Sequence, residues 1–347
     1  MTAFEKSVPI VLKYDNWPEA DQRAWCALVT PAGLFDDGGK GAHWSDGTQK
    51  MHKQAYGQWL SYLHRNHKDL VPQAPDQRVT RETVQRFVLD AQSRLQPRSV
   101  ANLVTGLTLV VTNTYPGDWG WLNTLCRRLQ NEANAYRLKP ILNLSAGEIF
   151  KWSLQRMAEV EDADLRPLKR AIYFRQALMI GFLICRPVRR RALLAMTVTT
   201  HVERSAESVI VHFRKEDMKD GLSRSFGLPE ELVQPFLLYL DIYRPVLVGD
   251  GRLKALWVNQ YGEAITPDGL SRELPKVTAT HLGVELRPHA FRHIAATSIA
   301  EFDPEHVGII RDLLGHATMK TAEKYYNRAG SISSCNALQK VVAGYRK

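Results

Sequence analysis

The chain has 347 residues, enough for two domains with separate cores, and its 44% apolar and 24% charged content is that of an ordinary globular protein. Its formal charge of +10 favours a polyanionic partner, because each phosphate contact releases counterions and strengthens binding at low salt. Four scattered cysteines (Cys26, Cys126, Cys185, Cys335) without a C-x-x-C pair argue against a zinc knuckle or a disulfide scaffold and fit a reducing compartment.

Residues 1–45 read as an N-terminal arm, rich in turns and tryptophans. Its first residues lack a basic segment leading into an apolar one, so no signal peptide is expected. Gly33 to Lys40 misses the spacing of a phosphate loop by one residue and has no Ser or Thr after the lysine, so it reads as a plain loop. Trp17, Trp25 and Trp44 are expected to pack the arm onto the following domain.

Residues 46–138 carry four helical patterns. The first places Tyr56, Trp59, Leu60 and Leu63 on one face. The second opens at an N-cap, Thr80, and the third follows Pro97. The fourth holds Trp119, Leu122, Leu125 and Leu129, with Arg127 and Arg128 exposed.

Lys139-Pro140 ends that pattern, and Ser145 with Glu148 forms a capping box for a new helix, so a second domain is expected over residues 139–330. Helices follow through Trp152 to Val160 and Arg170 to Cys185. Within the latter, Ala177 to Cys185 is the longest apolar run, too short to span a bilayer, and it reads as a buried helix. Ser208 to Phe213 is strand-like, Lys219-Asp-Gly221 is a hairpin turn signal, and Ser223 to Leu228 is the returning strand. The fold class is therefore mainly α with a small antiparallel β-sheet.

Leu286-Arg-Pro-His-Ala-Phe-Arg-His293 then sets His289 and Arg292 three apart, on one face of a helix that Pro288 can begin. Val307, Ile310, Leu313 and Leu314 make an amphipathic pattern stopped by Gly315, with His316 in the loop beyond it. Nine residues after His316 come Tyr325 and Tyr326. Residues 331–347 hold Leu338, Val341 and Val342 at helical spacing. Arginines, histidines and a tyrosine brought together in a basic protein point to chemistry on a phosphodiester.

His-x-x-Arg-His, Leu-Leu-Gly-His and the tyrosine nine residues later, in that order, resemble the catalytic signature of the tyrosine recombinase (phage integrase) family. The motifs cover about the last 200 residues, and the four preceding helices resemble the family's N-terminal core-binding (SAM-like) domain in layout. The resemblance implies a catalytic set of Tyr325 as nucleophile with Arg189, Lys219, His289, Arg292 and His316. Arg189 fits the first arginine position best and Arg186 competes for it; Ala192 stands where the family usually has Glu. Lys219 matches the family's spacing to the strand end at Leu228, with Lys215 as the runner-up. Family spacing selects Tyr325 over Tyr326, which a helix would point about 100° away. Arg186, Arg190, Arg191, Lys215, Arg127 and Arg128 are candidate DNA contacts, and His293 is expected to be buried and hydrogen-bonded.

The resemblance further implies a site-specific recombinase that cleaves and rejoins DNA through a 3′-phosphotyrosyl intermediate and a Holliday junction, with neither metal nor nucleotide cofactor. Its partners would be duplex DNA bearing a recombination site, three further copies of the chain, and in some settings an accessory DNA-bending protein. Without DNA the chain would be a monomer or a weak oligomer, and the tail helix would dock on a neighbouring copy or fold back in cis. A cytoplasmic, DNA-associated protein without a membrane partner is expected. The alternatives within the resemblance are a type IB topoisomerase, a hairpin resolvase, and a DNA-binding regulator that has kept the fold and lost catalysis.

Overall fold

The computed structural model describes residues 8–35, 37–135, 144–218, 221–249 and 251–302. Lys219, the amphipathic pattern from Val307 to Leu314, His316, Tyr325, Tyr326 and the tail at 331–347 lie outside the described residues. The chain divides into two compact units, Met1–Pro140 and Ile141–Lys347.

The first unit is helical: α1 (Glu19–Val29), α2 (Asp46–Asn66), α3 (Arg81–Gln92), α4 (Pro97–Thr114) and α5 (Gly120–Ala135). Sequence signals place the starts of three of them. The Ser45 hydroxyl accepts the Thr48 N–H at α2, Thr80 and Thr83 form a reciprocal capping box at α3, and Pro97 occupies the first turn of α4. Val100, Val104, Leu107 and Val111, one stripe of α4, are fully buried and form the centre of this core.

The arm is more ordered than its turn-rich sequence implies, because α1 lies within it. Trp17 and Trp25 are buried, and the Trp17 ring packs edge-on against Tyr56 at 5.2 Å. Beneath them Asp21 of α1 accepts the Tyr56 hydroxyl at 2.7 Å and Arg78 Nη1 at 2.8 Å, with the Arg78 and Asp21 side chains 2% and 0% exposed. Sequence periodicity could not reveal this helix: its apolar stripe is short, and the carboxylate it buries looks like a surface residue. Asp21→Ala should strand the Arg78 charge and the Tyr56 hydroxyl, costing about 3–5 kcal/mol. Chemical denaturation should show that loss, and an unchanged midpoint would contradict it.

The second unit is built around α7 (Pro167–Cys185), which packs along α6 (Ala146–Asp162). Residues 177–184 of α7 are all buried, so the apolar run is a helix wrapped by protein on every side. Gly181 is required where the two helices cross, since a Cβ there would lie 2.6 Å from the Ser153 hydroxyl. The helices α8 (Arg190–Ala195), α9 (Glu230–Leu238), α10 (Arg244–Val248), α11 (Pro267–Leu282) and α12 (Pro288–Phe302) surround it. Buried Arg175 of α7 ties α11 in place through Glu273, and it also donates to the Val258 carbonyl.

Between α8 and α9 lies an antiparallel sheet in the order β1 (Val202–Arg204), β2 (Val209–Phe213), β3 (Arg224–Gly227). Val209, Val211 and Phe213 of β2 are buried in alternation, which fixes the register with Val202 opposite Val211 and Phe213 opposite Arg224. The expected hairpin is present. Strand β1 was not anticipated, because three residues carry too short an alternation to read. No helix among the described residues is long and apolar enough to cross a membrane.

Candidate active site

Helix α12 begins at Pro288, as the missing N–H of proline allows. Its apolar side chains Phe291, Ile294, Ala295 and Ala296 are buried and seat the helix on the core. Arg292 lies on the same side, only 4% exposed, and its Nη1 donates to the carbonyl of Pro187. His289, one turn earlier, is exposed at the rim. His293 is half-buried and packs edge-to-face on His289, ring centres 4.5 Å apart.

Pro187 belongs to the sharp connection between α7 and α8, where the Val188 N–H bonds the Arg186 carbonyl at 2.7 Å. Two residues on, Arg189 takes an extended conformation as the N-cap residue of α8, and its carbonyl accepts the Leu193 N–H at 3.0 Å. Its side chain is half-buried. The Arg292–Pro187 bond thus fastens the helix bearing His289 and Arg292 to the turn bearing Arg189. Arg292 is held at the turn that carries Arg189, although the two lie far apart in sequence, and a guanidinium offers planar donors of the kind that suit a tetrahedral or pentacoordinate oxyanion.

The other arginines of this region each donate to a protein acceptor. Arg186 donates to the carbonyls of Cys185 and Gly227 and lies over the Phe226 ring at 5.2 Å, and burial lowers its pKa. These bonds to backbone link the end of α7 to β3. Arg190 donates to the Ser271 hydroxyl at 3.2 Å and Arg191 to the Glu216 carbonyl at 3.2 Å. Ala192 is 1% exposed, so the position that the family usually gives to Glu faces packed side chains here. Lys215 is exposed at the end of β2.

Two features had no signal in the sequence. His201 and Asp217, sixteen residues apart, bond at 3.1 Å beneath the β2–β3 hairpin. In the first unit, α3 and α5 enclose a groove of about 630 Å³ lined by Arg81, Gln85, Leu89, Trp121, Thr124 and Arg128. The Arg81 guanidinium sits over the Trp121 ring at 5.6 Å. Arg127 and Arg128 are both exposed on α5, and Arg128 lines the groove. Lone positions such as Arg81 become a basic, partly apolar groove only when two helices pack.

Residues 156–331, just over half of the chain, match the model described as the phage integrase family. Tyrosine recombinase XerD of Staphylococcus epidermidis is 24% identical over 133 residues, 38% of this chain and 45% of the relative. XerD of Lacticaseibacillus casei is 33% identical over 89 residues, 25% of this chain and 30% of the relative. The chain therefore aligns with less than half the length of these curated relatives. Among solved structures, the XerH site-specific recombinase bound to difH substrate in a pre-cleavage complex superposes with a TM-score of 0.55. That match has 15% identity and covers 83% of each chain. This likeness is one of fold.

Proposed function

Because the chain belongs to the phage integrase family, we propose that it cleaves and rejoins duplex DNA by transesterification at a specific recombination site. The bond from Arg292 to the Pro187 carbonyl is the observation that carries this reading, since it draws Arg292 to the turn of Arg189. Both arginines stay charged at any physiological pH and would bind the non-bridging oxygens as charge builds in the pentacoordinate state. In the proposed step the Tyr325 oxygen attacks phosphorus while His289 takes the phenol proton. The bond to the 5′ oxygen breaks, Lys219 donates a proton to that oxygen, and His316 hydrogen-bonds the phosphate. The 3′-phosphotyrosyl bond retains the energy of the phosphodiester, so a 5′ hydroxyl can reverse the step on a second duplex.

Four copies holding two duplexes would then exchange one strand pair at a time through a Holliday junction, with an accessory DNA-bending protein as a further partner. The groove between α3 and α5 suits duplex contact in the first unit. Arg81 and Arg128 would neutralise phosphates or reach base edges, and Arg127 and Lys215 would add charge.

Since the attacking oxygen belongs to the protein, a nicked suicide substrate should give a covalent protein–DNA adduct in EDTA and without nucleotide. A strict Mg²⁺ requirement would point instead to metal-activated attack. Plasmid relaxation without recombination would indicate a topoisomerase, and binding without adduct a regulator.

A further inference from the structure

The turn that leads from β2 toward the hairpin lysine is held by side chains that the proposed chemistry does not use. His201 is 1% exposed. Its Nδ1 accepts the Thr197 N–H at 3.1 Å, with the Thr197 hydroxyl also at 3.1 Å. Nε2 is therefore the protonated nitrogen, and it donates to Asp217 Oδ2 at 3.1 Å. That same oxygen accepts the Arg214 N–H at 3.0 Å and lies 3.5 Å from Arg214 Nε. Backbone bonds from Asp217 to Arg214 at 3.0 Å and from Met218 to Lys215 at 3.3 Å close the turn. From α8, Arg191 reaches the Glu216 carbonyl at 3.2 Å. Burial by itself would raise the Asp217 pKa, but the Arg214 N–H and His201 outweigh it and hold this carboxyl below the usual range.

A solvent-exposed hairpin turn needs no such support and is normally among the first parts of a fold to open. Here a buried imidazole donates to a half-buried carboxylate oxygen that also accepts a backbone N–H, an arrangement that fixes geometry more surely than it adds stability. Its anchors, Arg191 and His201, follow closely on Arg189 in sequence, and the His201 carbonyl also accepts the His212 N–H of β2 at 2.9 Å. Asp217, the carboxylate of this network, precedes Lys219 by two residues in sequence.

We infer that His201 and Asp217 are positioning residues, holding the β2–β3 turn so that Lys219 meets the departing 5′ oxygen; this rests on the transesterification reading above. A lysine ammonium rides on a flexible four-carbon stem, so its reach in a transition state depends on where the backbone is fixed. Neither His201 nor Asp217 touches DNA in this role.

The test compares single-turnover cleavage of an ordinary phosphodiester with that of a substrate whose 5′ bridging atom is sulfur, using the full-length chain. A thiolate leaves without needing a proton, so the sulfur substrate hides any defect in proton delivery. Lys219→Ala should slow the oxygen substrate by about 10²–10⁴-fold and be restored by sulfur. Asp217→Ala should slow the oxygen substrate by on the order of 10²-fold, the effect of misplacing a catalytic group by about 1 Å, and be restored in the same way. Asp217→Asn, which keeps an acceptor oxygen, should recover part of the rate. The Asp217→Ala, Lys219→Ala double variant should be no slower than Lys219→Ala alone. Equal loss on both substrates for Asp217→Ala would overturn the positioning role, as would wild-type rates on both. His201→Asn provides the second arm, with the same expected rescue, and an unrescued but folded His201→Asn protein counts against the inference. If sulfur fails to restore Lys219→Ala itself, the general-acid assignment falls first and the positioning role with it.

Discussion

Tyr325→Phe should form no covalent adduct on a nicked suicide substrate while binding duplex as the wild type does. A phenol has a reference pKa of about 10, so the nucleophile must be activated by a neighbouring base and a positive field. His289 and the two arginines would supply both, and phenylalanine leaves nothing for them to activate. In the helical pattern read from the sequence, adjacent side chains diverge by about 100°, so Tyr326→Phe should keep forming adduct. The reverse pattern, with Tyr326→Phe inert and Tyr325→Phe active, would transfer the role and break the spacing argument from His316.

Arg292→Lys should lose both activity and stability. The lysine keeps the positive charge but lacks a planar fork, so it cannot serve the Pro187 carbonyl and a phosphate oxygen together. Removing one such donor typically costs about 10²–10³-fold in rate. Because Arg292 is only 4% exposed, a carbonyl left without its partner should also cost about 1–3 kcal/mol of stability. Arg189→Lys separates the two effects. That side chain is half-buried where Arg292 is 4% exposed, so the variant should lose cleavage comparably with a smaller drop in melting temperature. Single-turnover cleavage and thermal unfolding, measured side by side, check both. An inactive Arg186→Lys beside a fully active Arg189→Lys would instead place the first arginine at Arg186, against its bonds to Cys185 and Gly227.

Most of the architecture was legible because the signals were local. Thr80, Pro97, the Ser145–Glu148 capping box and Pro288 each mark a helix start through backbone groups that only nearby residues can satisfy. The alternation of Val209, Val211 and Phe213 likewise marks β2 by itself. What stayed hidden depends on distant partners. Helix α1 is held by the Asp21–Arg78 pair, 57 residues apart in sequence, and nothing near Asp21 announces burial. In the candidate site, His289 and Arg292 were readable from their spacing on α12. Arg186 and Arg191 also reach the Gly227 and Glu216 carbonyls, contacts without a motif in the sequence because those acceptors are in place only once the hairpin has formed. His201 and Asp217 had no motif, since their contact comes from the hairpin folding back over the turn after α8.

The most direct measurement is to trap the adduct on end-labelled nicked DNA, digest it with protease, and identify the attached peptide and DNA end by mass spectrometry. The expected product is a peptide containing Tyr325 joined to a 3′ phosphate, with a free 5′ hydroxyl on the released strand. Attachment at a 5′ phosphate, attachment through a residue other than Tyr325, or cleavage that leaves no protein on the DNA would contradict the proposed chemistry.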